Sequence, residues 1–106
     1  MKISNRRLIA LVNTIGAIQD KDFDIKTSFA LSRILNTAAN AVQPYENELK
    51  KLKGKTMDVE EFNKNVNELL DIEIDIDINK ISQKDIINSG NKMTIAQVNG
   101  LEPIIE

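Results

Sequence analysis

From Leu31 the apolar residues run Leu31, Leu35, Ala38, Val42, Tyr45, Leu49 and Leu52, and the spacing alternates four and three without a miss. A seam of this kind places every apolar side chain on one stripe of a helix, so residues 27–53 are expected to form one long helix. Thr27 or Ser28 lies near its expected start. Lys50, Lys51, Lys53 and Lys55 crowd its end, where cations suit the helix dipole, and Gly54 is the expected terminator. Pro44 sits inside the pattern. It removes one backbone donor and its ring crowds the carbonyl of Asn40, so a kink near 40–44 or two abutting helices are expected, the unbroken seam favouring the kink. A stripe this regular is also more than a small monomer needs, which points to a homo-oligomer unless another helix of the same chain covers it.

The rest of a 106-residue chain has to be built around that helix, and it is long enough for one domain, 1–106, but not two. Ser4 or Asn5 can cap a helix over 5–18 whose face is Leu8, Leu11, Val12, Ile15 and Ile18. Ile3 before it suits a hydrophobic staple or a short strand. Asp58 with Glu61 forms a capping-box pattern ahead of a helix over 59–70, expected to pack antiparallel on the long one. The period then changes. Ile72, Ile74, Ile76 and Ile78 alternate with Glu73, Asp75 and Asp77, which reads as a half-buried strand over 72–78. A strand needs a partner; Lys2-Ile3, the 23–26 segment, the Met93 region and a second subunit are the candidates. Ser82 and Thr94, the latter with Gln97, open short helical turns, and the apolar tail Leu101 to Ile105 is expected to dock. The fold class is therefore α+β, mostly α: a long kinked helix, two shorter helices and a small sheet.

Composition narrows the chemistry. The chain has no cysteine and no histidine, which excludes disulfides, the usual zinc sites, thiol nucleophiles and a Ser-His-Asp triad. A net charge of −2 argues against bulk nucleic-acid binding. No stretch approaches the roughly 20 apolar residues that span a bilayer, so no membrane partner is expected. Arg6 and Arg7 ahead of Leu8 to Val12 faintly suggest an export signal, but Asn13 and Thr14 interrupt the run and no small-residue cleavage site follows; a cytoplasmic location is expected. Isoleucine (16), asparagine (12) and an excess of lysine (11) over arginine (3) point to a low-GC genome.

Few constellations remain. Asp20-x-Asp22-x-Asp24 starts like a calcium loop but has Ile25 where glycine and Leu31 where glutamate are required, so it reads as a solvated loop. Glu73, Asp75 and Asp77 would line one strand face at about 7 Å intervals, a charged outer face that resists edge-to-edge pairing. No glycine-rich phosphate loop exists, no metal site is expected, and no pair of groups stands at a catalytic spacing, so no cofactor and no enzymatic activity are expected. One stripe stands out. Lys26, Phe29, Arg33, Asn36 and Asn40 form a second line beside the seam, where an aromatic ring, two cations and amides suit a planar anionic ligand; the competing and favoured reading is a solvated flank with Phe29 turned into the core. Arg6 and Arg7, in the first turn of the first helix, would add charge to it.

The order of these features resembles a family of short accessory proteins encoded by tailed phages of low-GC bacteria. The likeness rests on Asn5 to Leu11, on Ile25-Lys26-x-x-Phe29-x-Leu31-x-Arg33-x-Leu35-Asn36, on Glu61-Phe62 to Leu69-Leu70, on Ile72 to Ile76 and on Leu101-Glu102-Pro103. Pro44 departs from the family's pattern. The resemblance implies a phage accessory protein working in the host cytoplasm. Two functions fit it, the first preferred and the second its alternative. One is a non-enzymatic, oligomeric counter-defence protein that sequesters a nucleotide-type immune signal, with Lys26, Phe29, Arg33, Asn36, Arg6 and Arg7 as binding residues. The other is a head or tail assembly adaptor or chaperone acting on a phage structural protein.

Overall fold

The computed structural model describes residues 1–106. Strand β1 (Lys2–Ser4) leads directly into helix α1 (Asn5–Ile18), followed by α2 (Ile25–Lys53), α3 (Val59–Asp71), β2 (Glu73–Asp75), α4 (Gln83–Asn88) and α5 (Ile95–Leu101), with a 3-10 turn at Glu102–Ile104. The fold is α+β and mostly α, as the periodicities predict. No helix is long and apolar enough to cross a membrane.

Local chemistry sets the helix starts. The Ser4 hydroxyl accepts from the Arg7 N–H at 3.2 Å, and the Asp58 carboxylate from the Glu61 N–H at 2.7 Å. The return arm of the box expected at Asp58 and Glu61 is not made, whereas Thr94 and Gln97 complete theirs in both directions. Helix α2 starts two residues earlier than expected, at Ile25 rather than at 27: Asp24 is its cap and accepts from the Thr27 N–H at 2.7 Å. Thr27 is instead buried in the first turn. At the other end Gly54 terminates α2, its N–H reaching the Lys50 carbonyl. The helix runs through Pro44 as a single element, so the alternative of two abutting helices is set aside.

The core lies where α1 crosses the first half of α2. The short connection between them and the proximity of Ile15 and Ile18 to Leu31 and Leu35 make the two helices antiparallel. Leu8, Leu11, Ile15 and Ile18 of α1 meet Leu31, Ile34, Ala38 and Val42 of α2, with Leu101 and Ile104 added from the C-terminal segment. The first half of the seam is thus consumed inside the chain. Beyond Val42 the seam continues as Tyr45, Leu49 and Leu52 against α3, and there burial is only partial; α3 has no fully buried residue. The α2–α3 hairpin stands out from the core as an arm. It stretches the molecule to 50 × 26 × 20 Å and the radius of gyration to 15.7 Å, against about 13 Å for a compact chain of this length.

The strand is shorter than its sequence pattern. β1 pairs antiparallel with β2, Ile3 opposite Ile74, and the ladder is extended by the Ile76 N–H to the Met1 carbonyl. Of the four candidate partners, Lys2-Ile3 is the one used. The alternation persists through Ile78, with Ile76 buried and Ile78 half-buried, but regular strand stops because β1 supplies only three residues. The tail docks as expected. The Ile81 N–H donates to the Ile104 carbonyl at 2.7 Å and the Glu106 N–H to the Ile81 carbonyl at 3.0 Å, a parallel bridge that seats Pro103 and Ile104 in the core.

Candidate functional site

The stripe proposed from spacing is real as a surface. Thr27, Leu31, Ile34 and Ala38 point inward, so the helical period turns Lys26, Phe29, Arg33, Asn36 and Asn40 outward, and all five are exposed. Phe29 is not a core residue. Arg33 borders a shallow cleft of about 230 Å³ between α2 and the segment after β2, shared with Ala30, Thr37, Asp77, Ile78 and Asn79. The carboxylate of Asp77 therefore stands on the opposite wall from the guanidinium.

Arg6 and Arg7 are not brought to this stripe. They lie at the start of α1, which the antiparallel packing sets about 15 Å along the axis from the level of Arg33. Each has its own partner. Arg6 Nη2 pairs with Asp71 Oδ1 at 3.3 Å and touches Asn67 Oδ1 at 3.4 Å, while Arg7 pairs with Glu102. These contacts tie α1 to the end of α3 and to the 3-10 turn. Sequence spacing misses them because the partners are far away in the chain. The stripe thus keeps Lys26, Phe29, Arg33 and Asn36, and loses the two arginines.

The acidic residues are separately employed. Asp24 caps α2, and the Thr27 backbone N–H, then the Thr27 side chain, hold its carboxyl below the ordinary aspartate value. The Asp22 carbonyl accepts from Asn91 Nδ2 at 2.6 Å, stitching the loop before α2 to the segment after α4. Glu73 and Asp75 share the outer face of β2, but Asp77 lies past the strand end at the Arg33 cleft, so the expected ladder of three is divided.

Two further surfaces were not singled out by spacing. At the tip of the arm Leu52, Met57, Val59 and Phe62 line a cleft of about 270 Å³ rimmed by Lys53, Lys55 and the helix-capping Asp58. Between α4, α5 and the tail, Ile86, Ile87, Met93, Val98, Leu101 and Ile105 line a groove of about 480 Å³, with Gln83, Glu102 and Glu106 at its edge. The signal for the groove was present in the sequence: a helix of only six residues cannot bury both members of the Ile86-Ile87 pair. Compared with protein-family models, with curated proteins and with solved structures, the chain matches none of them.

Proposed function

We propose that the chain is a non-enzymatic, oligomeric accessory protein of phage type that acts in the host cytoplasm as an assembly adaptor, with the α2–α3 arm as its recognition element. The observation that carries this reading is the arm itself: a projecting helical hairpin with a half-covered apolar face and, at its tip, an apolar cleft rimmed by two lysines and by Asp58, whose carboxylate is engaged in capping α3. Such a tip suits an apolar segment flanked by carboxylates on a phage head or tail protein, since apolar contact supplies affinity and rim charge supplies orientation. The test is co-expression with the individual head and tail proteins of the genome that encodes the chain. One of them should co-purify with the parent, and reversing charge at Lys53 and Lys55 together should abolish its capture while leaving the helical circular-dichroism spectrum unchanged. Failure of every such protein to co-purify would overturn the adaptor reading.

A second reading, sequestration of a nucleotide-type immune signal, is favoured by one observation: Lys26 and Arg33 flank the exposed ring of Phe29, and neither cation has a carboxylate within ion-pair distance. A thermal-shift panel of cyclic and linear nucleotides separates the two. A ligand at a hundred times its Kd stabilises by about 2.7 kcal/mol, and a shift abolished by Arg33→Ala would transfer the conclusion to this reading. A panel without effect leaves the adaptor.

A further inference from the structure

Eight large apolar residues of this chain are exposed, and five of them fall on two surfaces. Ile25 (77% exposed) and Phe29 (63%) stand one turn apart on the first turns of α2 and make a ridge, with Lys26 and Arg33 along one flank. Ile87 (64%) and Val98 (56%) lie on the two sides of the α4–α5 groove, and Ile95 lies one turn before Val98 on the same face. One surface is a convex apolar ridge with a cationic flank. The other is a concave apolar groove whose edge carries Glu102, engaged by Arg7, and the unpaired Glu106.

We propose that the ridge of one copy docks in the groove of a second copy of this chain, Phe29 entering between Ile87 and Val98 and the Lys26–Arg33 flank facing Glu106. Shape and charge agree on that flank: Lys26 and Arg33, neither ion-paired within its own chain, face Glu106, the one groove-edge carboxylate left free, and both apolar surfaces leave water together. The placement also permits closure. Asn91 Nδ2 on the Asp22 carbonyl and Lys21 Nζ on the Lys92 carbonyl hold the loop before α2 against the segment joining α4 to α5, so ridge and groove border the same end of the molecule. A two-fold axis beside that end makes the contact reciprocal, each copy giving a ridge and receiving one, which yields a closed dimer rather than a filament. The dimer leaves the arm tips free. The inference rests on the oligomeric reading above and gives it a geometry, placing the contact away from the seam, whose first half the chain covers for itself.

The full chain should sediment as a concentration-dependent dimer at micromolar concentration. Phe29→Asp and Val98→Asp should each raise the dimer dissociation constant by about a hundredfold, with the circular-dichroism spectrum retained because both side chains are exposed. Val59→Asp, on α3 and equally exposed, should leave the dimer intact. The parent contains no cysteine, so mixing Phe29→Cys chains with Val98→Cys chains should give a disulfide between unlike chains under mild oxidation. A monomeric parent, an undiminished dimer in Phe29→Asp, or cross-linking confined to Phe29→Cys chains with one another would each overturn the proposal. These readouts do not involve a phage partner, so a monomer that still captures a head or tail protein would sink the dimer alone, and a dimer that captures none would sink the adaptor alone.

Discussion

Gly100 on α5 faces Thr14 on α1 so closely that a β-carbon at position 100 would fall 2.0 Å from Thr14 Oγ1 and 2.9 Å from Thr14 Cβ. The hydroxyl is not free to swing away at no cost, because it donates to the Ala10 carbonyl at 2.7 Å. The two helices can approach this far only because residue 100 has no side chain. Gly100→Ala should therefore lower the urea midpoint, by about 1–3 kcal/mol of overpacking strain, in spite of alanine's better helix propensity. Thr14→Ala in the same chain should restore part of the loss, since it removes the hydroxyl and methyl but leaves Cβ in place. A midpoint unchanged by Gly100→Ala would show that α5 shifts freely over α1.

Asn5 joins three elements at one point. Its backbone N–H donates to the Ile72 carbonyl and its side-chain Nδ2 to the Leu69 carbonyl, both at 2.9 Å, and the residue is buried. It closes off the end of α3 where the chain turns into β2. Asn5→Ala should cost about 1 kcal/mol by removing the shorter of the two hydrogen bonds to the Leu69 carbonyl, which keeps only the Ile72 N–H at 3.3 Å. Asn5→Asp should be worse at neutral pH than at acid pH, because the ionised carboxylate would face the Leu69 carbonyl and only the protonated acid can donate to it. Hydrogen exchange should locate the loss in the last turn of α3 rather than in the core of α1.

The Asp24 cap makes the start of α2 sensitive to acid. The Thr27 N–H stabilises the ionised carboxylate, so the folded chain holds this group's proton less tightly than the unfolded chain does. Its contribution is present above the unfolded value and disappears as pH falls through the lower, folded one. The stability gap between the parent and Asp24→Asn should therefore narrow as the pH falls through the ordinary aspartate range and below it. Urea midpoints of the two proteins across that range check it, and a gap that widened on acidification would contradict the assignment.

Ile104 is fully buried, and its carbonyl accepts from the Ile81 N–H. Ile104→Ala should cost about 2–5 kcal/mol, more than a residue three from the end of the described chain would suggest from position alone. Chemical denaturation measures the loss, and a value under 1 kcal/mol by this order-of-magnitude scale would mean that the tail does not close the core.

The stripe gives the opposite expectation. Arg33 is exposed on α2, so Arg33→Ala should change folding stability by no more than about 0.5 kcal/mol. Any effect it has should appear in binding, on the second copy's groove or on an anionic ligand.

The helices, most of their caps and most of the faces they bury are legible in the residue pattern, because these depend on contacts within four residues of one another. The seam from Leu31 to Leu52, Ser4, Asp58 and the Thr94–Gln97 box are all of that kind, whereas the exposure of Phe29, which spacing leaves open between core and surface, is a finding of the structure. The start of α2 is two residues off because the seam marks a helix only from its apolar positions, and several polar residues in a row before Leu31 blur where the cap lies. Only the tertiary structure decided the partner and length of β2, the diversion of Arg6 to Asp71 and Arg7 to Glu102, the clearance between Gly100 and Thr14, and the groove between α4 and α5. Each of those joins residues far apart in the chain. The side chains themselves carry no record of which distant neighbour will arrive; that is settled by the packing of α1 against α2, which brings the start of α1 to the end of α3 and the tail to Ile81.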